Sequence, residues 1–453
     1  MVSEDAVITA LIARARQLAG RAEDDAAKAA YVDVLRRDPT HFAALNELAT
    51  LAYASGYRSA ARTAYEQAVR CHPGNPLGRV NLGNLLAEDQ DFEAARAQYD
   101  AALAVDPDLA EAHQGLARVL SELGETAAAE PHWRKGFAQN ALVMRPYRGT
   151  GKGVPVLLLV SARGGNIPTQ QILDDRVFAV SALYAEFFDP ARNLPDHVLI
   201  FNAIGDADLC SEALVRAEAI VKRSAAPVIN PPARVRPTGR AANAARLAAL
   251  PDVKAPTIRV FSKGALRMAE LRFPLLLRAP GFHTGRHFVR VERSEDLASA
   301  MAQLPGEELL AIDYLDARGA DGMARKYRVM IIDGGLYPLH LAISADWKVH
   351  YFTADMAANA AHREEERRFL IDMPSVTGAP AVAALNAIGK SLSLDYAGVD
   401  FGVGADGALL LFEANATMVI NPPDPDPVWD YRRAPILAAL DAAKRMLLAK
   451  AKR

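Results

Sequence analysis

Three oxygen-bearing side chains, Asp400, Glu413 and Asn415, lie close together near the end of the chain. Asp400 falls within one apolar run, 396–403, and the other two follow the next run, 408–412. An Asp-Gly pair separates the runs, so the segment predicts a β-hairpin. Because residues i and i+2 share a strand face, Glu413 and Asn415 should point the same way. Two carboxylates and an amide oxygen are hard ligands that suit Mg²⁺ carrying nucleotide phosphates.

Composition narrows the class of protein. The length of 453 residues allows about two to four domains. A net charge of -2 predicts neither a nucleic-acid partner nor an anionic membrane surface. The two cysteines, Cys71 and Cys210, are far apart and predict no disulfide framework or metal cluster. We find no apolar run of membrane-spanning length and no basic leader, so we expect a cytoplasmic protein.

The first third of the chain repeats with a period of 34 residues, the spacing of Pro39, Pro73 and Pro107. Small residues and large rings recur at the same interval, as crossing helices of stacked hairpins require. They are Ala27, Ala61, Ala95 and Ala129, then Tyr31, Tyr65, Tyr99 and Trp133. The pattern resembles tetratricopeptide repeats, about four of them. It predicts an all-α superhelical array within residues 1–145.

Such arrays usually present a concave surface to a peptide or protein, or mediate self-association into a homo-oligomer. Asn46, Asn81 and Asn84 fall on the first helices of their repeats, which line the concave side in such arrays. Their amides could grip a peptide backbone, or they could form an ordinary solvated polar face.

A Gly/Pro-rich linker at 146–153 separates the array from a region of alternating strands and helices. We predict a buried strand at 154–160, a helix at 170–188, a strand at 197–202 and a helix at 211–224. This order favours a parallel sheet within a domain at 154–226.

A second set of residues could hold phosphate. The predicted strand 273–278 ends at Arg278, and the following loop carries Gly281, His283 and Gly285. Glycines let backbone N–H groups close on phosphate oxygens, and the arginine and histidine add positive charge.

Together these motifs resemble the ATP-grasp ligases, in the manner of glutathione synthetase and the RimK-type ligases. The resemblance extends from an Asn-Pro loop before Arg240, through the glycine loop, to the hairpin that carries Asp400. It implies an α+β ATP-grasp domain at 227–453, with a lid at about 256–308 and a C-terminal lobe at about 309–447. The domain at 154–226 would then be the α/β pre-grasp domain.

The resemblance implies ATP and Mg²⁺ as cofactors, with the metal on the three oxygen-bearing side chains of the hairpin. It implies that Arg328 faces the transferred phosphate, while Arg278 stands where the family has a phosphate-binding lysine. Cofactor contacts are implied for Arg240, Arg278, Gly281, His283, Gly285, Asp313, Tyr314, Leu315, Asp316 and Asp321.

The implied activity is that of an ADP-forming carboxylate–amine ligase, which makes an amide through an acyl phosphate. We expect Lys348 and His350 to alternate onto one strand face and contact phosphate or acceptor, or else to be exposed edge-strand residues. Asn421 and Asp424 are expected to contact the acceptor, or to lie in a plain surface crossover. The charge run 363–368 predicts a solvated helix face.

Three alternatives stay open. The enzyme could act on small metabolites while the array serves oligomerisation. The second half could be a non-catalytic scaffold, because Arg278 replaces the usual lysine. It could also be an ATP-grasp kinase that phosphorylates a hydroxyl group.

Overall fold

The computed structural model of the chain describes residues 3–21, 23–282, 285–351, 353–424 and 426–452. It contains two compact units. The first runs to Lys152 and includes Phe187–Asp189, and the second comprises Gly153–Glu186 and Pro190–Arg453.

Antiparallel helical hairpins form the first unit, as the 34-residue period predicted. Tyr99 is fully buried, and it fills the space left by two glycines. A Cβ added at Gly83 or Gly115 would lie 2.9 Å or 2.3 Å from a carbon of the Tyr99 ring. The elements are α1 (Glu4–Gly20), α2 (Asp24–Arg37), α3 (Phe42–Ala54), α4 (Arg58–Cys71), α5 (Pro76–Glu88), α6 (Phe92–Val105), α7 (Ala110–Glu122), α8 (Thr126–Phe137) and β1 (Leu142–Met144).

The three asparagines of the predicted concave face bond within the array. The Nδ2 atom of Asn81 donates to Oδ1 of Asn46 at 2.8 Å, which links α5 to α3. The hydroxyl of Tyr99 donates to Oδ1 of Asn84 at 2.7 Å. These amides therefore join neighbouring helices, and Asn84 remains exposed at the surface.

A parallel sheet opens the second unit, with strand order β3-β2-β4-β5. The helix predicted at 170–188 is wrong, because Phe178–Tyr184 is a strand that pairs with Val154–Val160. Pairing beside a buried strand outweighs weak helical periodicity in an apolar segment of this length. The elements are β2 (Val154–Val160), β3 (Phe178–Tyr184), β4 (Leu199–Asn202), α9 (Ser211–Val221), β5 (Val228–Ile229), α10 (Pro232–Val235), α11 (Arg240–Leu247) and β6 (Val253–Lys254).

A four-stranded antiparallel sheet follows, with strand order β7-β10-β8-β9. Leu277 and Leu309 are fully buried in its core, and Leu266 and Met301 pack there from the two short helices. The elements are β7 (Ile258–Ser262), α12 (Lys263–Leu266), β8 (Leu275–Arg278), β9 (Phe288–Val291), α13 (Leu297–Ala302) and β10 (Glu308–Asp313).

The last sheet, called the five-stranded sheet here, has strand order β12-β11-β13-β14-β6. The hairpin predicted around Asp406-Gly407 is present as β13 and β14, and Gly407 adopts φ +80° in its turn. The elements are β11 (Ala324–Ile332), β12 (Gly335–Ser344), α14 (Ala360–Ile371), α15 (Met373–Leu392, interrupted at Gly378), β13 (Tyr396–Val403), β14 (Leu409–Asn415) and α16 (Asp430–Ala451).

Asn230 connects the parallel sheet to the start of β13. Its Oδ1 accepts the backbone N–H groups of Asp395 and Tyr396 at 2.8 Å and 2.9 Å. Its Nδ2 donates to the Tyr396 carbonyl at 2.7 Å, and its own N–H bonds the Asp395 carboxylate at 2.8 Å. This fully buried residue adopts φ +49°, a left-handed conformation that asparagine tolerates better than most residues.

The charge run 363–368 lies on α14 but is not a uniformly solvated face. Glu366 has an exposed fraction of 0%, because this side of the helix packs against β12 and α16. Glu365 forms an ion pair with Arg325 of β11 at 2.6 Å. None of the described helices combines the length and apolar character that a membrane span requires.

Candidate active site

Asp400 occupies the centre of the five-stranded sheet, opposite Arg328 of β11 and Glu413 of β14. Only 1% of the residue is exposed. Its Oδ1 accepts from Nε of Arg328 at 2.6 Å, and its Oδ2 accepts from Nη2 of Arg328 at 2.8 Å and lies 2.7 Å from Nζ of Lys326. Burial favours protonation of Asp400, but Arg328 and Lys326 outweigh it and hold the pKa well below its ordinary value.

Glu413 and Asn415 lie on the same face of β14 and contact each other. Oε1 of Glu413 accepts from Nη2 of Arg240 at 2.6 Å and from Nδ2 of Asn415 at 2.9 Å. Although burial raises the pKa of Glu413, the charge of Arg240 lowers it below the ordinary value. Oδ1 of Asn415 accepts from the N–H and the hydroxyl of Thr417 at 3.0 Å and 2.9 Å.

The predicted metal ligands therefore converge, and their present partners are cations and hydrogen-bond donors. Among the described residues, Oε2 of Glu413 accepts no hydrogen bond, and 31% of that side chain is exposed. No group of three or more His, Cys, Asp or Glu residues in the described ranges could hold a metal. A site here would thus depend on the amide of Asn415 as well as two carboxylates. By oxygen type these donors suit Mg²⁺, which would have to displace the present partners of Asp400 and Asn415.

Arg278 ends β8 and lies near enough to Glu413 for the two charges to interact. Burial and the charge of Arg240 together lower the pKa of Arg278 to about 10, although Glu413 and Asp206 oppose both effects. Nη2 of Arg278 donates to the carbonyl of Phe282 in the glycine loop. Arginines from β8, α11 and β11 thus surround two acids of the hairpin.

The two glycines of the glycine loop adopt backbone conformations that other residues rarely take. Gly281 has φ +80° and Gly285 has φ +73°, in the left-handed region that favours glycine. His283 lies outside the described residues. A Cβ added at Gly285 would lie 2.6 Å from Cε of Lys348, so that lysine reaches the loop.

The prediction that Lys348 and His350 share a strand face is wrong. Strand β12 ends at Ser344, and the chain continues as bends through this segment. The hydroxyl of Ser344 accepts the N–H of Asp346 at 3.0 Å, and the Asp346 carboxylate accepts the N–H of Lys348 at 3.1 Å. Side chains that bond nearby backbone groups in this way compete with strand pairing.

Five of the residues implied as cofactor contacts lie at and after the end of β10. Asp313 ends the strand, and its N–H bonds the carbonyl of Thr257 at 3.0 Å. The guanidinium of Arg290 lies 4.1 Å from the ring centre of Tyr314. Leu315 is half-buried in the loop that follows.

Asp316 and Asp321 are paired outside the cluster around Asp400. Asp316 accepts hydrogen bonds from Nε and Nη2 of Arg318, and Asp321 accepts them from Nη1 and Nη2 of Arg325. Hydrogen bonding to these arginines lowers the pKa of each carboxyl. Among the described residues, none of their contacts reaches that cluster.

Neither Lys326 nor most of a cavity beside Arg328 was predicted from the sequence. Lys326 precedes Arg328 by two residues, so strand alternation alone would have placed both on one face. The cavity measures about 260 Å³, and its lining includes Lys326, Arg328 and both predicted acceptor residues, Asn421 and Asp424. The remaining lining comes from elements far apart in sequence, which no local pattern connects.

Family models match the first unit. A tetratricopeptide repeat model matches residues 12–76, and a TPR repeat model matches residues 83–124. The N-terminal helices are therefore tetratricopeptide repeats, followed by a mixed α/β region with several sheets. Repeats of this kind indicate binding of a peptide or protein.

Solved structures similar to this chain include three proteins. MamA from Desulfovibrio magneticus RS-1 is 21% identical, covering 29% of this chain and 73% of its own, with a TM-score of 0.27. YrrB, described as a TPR protein with an unusual peptide-binding site, is 20% identical, covering 29% and 67%, with a TM-score of 0.26. PilF of Pseudomonas aeruginosa is 22% identical, covering 30% and 62%, with a TM-score of 0.28. No curated protein matches the chain.

Proposed function

We propose that the second unit is an ATP-dependent carboxylate–amine ligase of the ATP-grasp type, which forms ADP and an amide through an acyl phosphate. One observation carries the proposal: four cations gather around Asp400 and Glu413. Arg240 pairs with Glu413, Lys326 and Arg328 pair with Asp400, and Arg278 is close enough to Glu413 for its pKa to respond to that charge. Counting Asp206, which also acts on Arg278, four cations face three carboxylates. The surplus of positive charge suits a polyphosphate and a substrate carboxylate.

Asp400, Glu413 and Asn415 would hold Mg²⁺, with the open Oε2 of Glu413 as the available carboxylate oxygen. Bound there, the ion would neutralise phosphate charge and polarise the phosphoryl group. Arg240 and Arg278 would bind the phosphate oxygens. Arg328 would stabilise the charge that develops as the phosphoryl group moves to the substrate carboxylate.

Arg278 supports nucleotide binding in spite of replacing a lysine. Its pKa of about 10 keeps it protonated at neutral pH, so the positive charge is retained. Its fork of donors already contacts the loop carbonyl of Phe282, which ties the cation to the glycine loop. Lys348 reaches the same loop at Gly285 and would help it to exclude water from the acyl phosphate.

The repeats supply the second part of the proposal, recruitment of a peptide or protein substrate. If they recruit it, a chain lacking residues 1–145 should keep MgATP binding and lose turnover of the recruited substrate. Unchanged turnover of that substrate would contradict recruitment and favour a role in self-association.

Nucleotide binding and ADP formation test the catalytic part. Calorimetry with ATP and Mg²⁺ should show binding by the wild-type protein, and Glu413→Gln should weaken it. Asp406→Asn is the matched control, since Asp406 lies in the turn of the same hairpin and pairs with exposed Lys254 at 2.6 Å. The control should bind as the wild type does. Absence of ATP binding by the wild type would contradict the proposal.

Hydroxylamine separates a ligase from a kinase. It attacks an acyl phosphate and yields a hydroxamate, whereas a phosphorylated hydroxyl group does not react in this way. ATP-dependent hydroxamate formation is therefore expected, and ADP formation with a phosphorylated alcohol as the product would favour the kinase.

A further inference from the structure

The cavity beside Arg328 has a charged end on the five-stranded sheet and an apolar wall. Lys326 and Arg328 lie at the charged end, where both bond the single carboxylate of Asp400. Because two cations share this one carboxylate, the charged end can also bind a carboxylate of a ligand. The apolar wall is formed chiefly by Leu339, Tyr351, Met356, Pro422, Trp429 and Ile436.

The other cation of the lining, Arg432, is already neutralised. Its Nε lies 3.4 Å from the fully buried carboxylate of Glu366, and its guanidinium lies 4.3 Å from the ring centre of Tyr351. Glu366 also accepts the hydroxyls of Tyr431 and Tyr351, which fixes this wall of the cavity. A second substrate carboxylate would therefore find no uncompensated positive charge there.

Two further residues disfavour a second negative charge on the ligand. His340 lies between the two ends, with its ring 4.6 Å from that of Tyr351. Burial lowers the pKa of His340 well below its ordinary value, so its ring is neutral. Asp424, also part of the lining, carries a negative charge and would repel another carboxylate.

The size of the cavity limits the ligand as well. Pockets for drug-sized ligands measure roughly 300–1,000 Å³. The cavity of about 260 Å³ is smaller, so it holds a molecule the size of one amino acid rather than a length of peptide. A peptide could enter only by a terminal residue.

We propose that this cavity binds the acid that the ligase activates, a monocarboxylate of single-residue size with an apolar body. Its carboxylate would lie against Lys326 and Arg328, and its body would pack against the wall that contains Tyr351 and Trp429. The inference rests on the proposed function. In the first step a carboxylate oxygen attacks the γ-phosphorus of ATP, and the bond to the β,γ-bridging oxygen breaks to release ADP. An amine then attacks the acyl carbon, phosphate leaves, and the amine proton passes to solvent.

The test uses the full chain with MgATP, hydroxylamine as the amine, and phenylacetate or succinate as the acid. Phenylacetate should give the higher kcat/KM for hydroxamate, by about tenfold or more, because burying a ring is worth over 1.4 kcal/mol. Equal rates, a preference for succinate, or no hydroxamate from phenylacetate would overturn the inference.

A substitution that fills the cavity can be compared with a matched substitution outside it. Ala354 lies in the lining, so Ala354→Phe should raise the KM for phenylacetate about tenfold or more while ATP binding stays unchanged. Ala358 is an exposed residue of the same segment outside the lining, and Ala358→Phe should leave both values unchanged. An unchanged KM in Ala354→Phe would overturn the assignment of the cavity.

Calorimetric ATP binding distinguishes the two failures. If the wild type binds MgATP but prefers succinate, the substrate assignment is wrong and the proposed function is retained. If the wild type does not bind ATP, the substrate assignment and the proposed function are both wrong.

Discussion

Removal of the Arg328 side chain should destabilise the five-stranded sheet strongly. Arg328 makes two of the three charged contacts of Asp400, at 2.6 Å and 2.8 Å, and Lys326 makes the third at 2.7 Å. Breaking a buried pair by removing one partner costs about 3–5 kcal/mol. We therefore expect about 4 kcal/mol for Arg328→Met and about 2 kcal/mol for Lys326→Met, since a bond to a charged group is worth about 1.5–3 kcal/mol.

Native-state hydrogen exchange of β13 amides is a suitable assay because these amides lie in the strand that carries Asp400. A loss of 4 kcal/mol corresponds to exchange faster by roughly three orders of magnitude where global opening controls it. Arg367→Met is the control, because Arg367 pairs with Glu364 on an exposed helix face, and its removal should leave the exchange rates nearly unchanged.

The order of the exchange rates among the three variants tests this prediction most directly. If Lys326→Met accelerated exchange as much as Arg328→Met, the bidentate bond would not be the main partner of Asp400. If both matched Arg367→Met, the sheet would not depend on the pair at all.

Three further predictions concern other parts of the chain. Burial raises the pKa of Glu366 above its ordinary value. Glu366 therefore contributes its full stabilisation at pH values below the pKa it has in the unfolded chain, and this contribution is lost as the pH rises through its higher pKa in the folded protein. Glu366→Gln cannot titrate at this position, so the Tm of the variant minus the Tm of the wild type should increase between about pH 4 and pH 7. A Tm difference that stays constant over this range would contradict the prediction. Gly115→Ala should destabilise the repeats by about 1–3 kcal/mol, because the added Cβ would lie 2.3 Å from the Tyr99 ring. Gly20→Ala is the control and should not destabilise them, because the space around Gly20 is open. Circular dichroism during heating measures the stability of both variants. A thiol reagent at neutral pH should label exposed Cys71 quickly and Cys210 slowly, because burial raises the pKa of Cys210 to about 12; fast labelling of Cys71→Ser would contradict it.

The sequence predicted the features that local pattern and repetition encode. The 34-residue period identified the repeats, because each ring must meet a small residue in the neighbouring helix, as Tyr99 meets Gly83 and Gly115. The Asp-Gly turn identified the hairpin that carries Asp400 and Glu413, and alternation placed Glu413 and Asn415 on one face.

Features that depend on distant partners were missed or predicted wrongly. Strand β3 has no periodicity that distinguishes it from a helix, and its pairing with β2 decides its structure. Glu366 reads as part of a solvated charge run, but it is buried because Arg432, Tyr351 and Tyr431 surround it. Of these three residues, two lie more than sixty positions further along the chain.

The bonds of Asn230 bear on which parts of the second unit can change shape. Both amide atoms of this side chain are committed to the backbone where β13 begins, so the parallel sheet and the five-stranded sheet are fastened at that point. Rotation between them would break several buried bonds at once. In the proposed ligase, closure around a ligand would therefore fall to the four-stranded sheet, and the strand that carries Asp400 would keep its place relative to the parallel sheet.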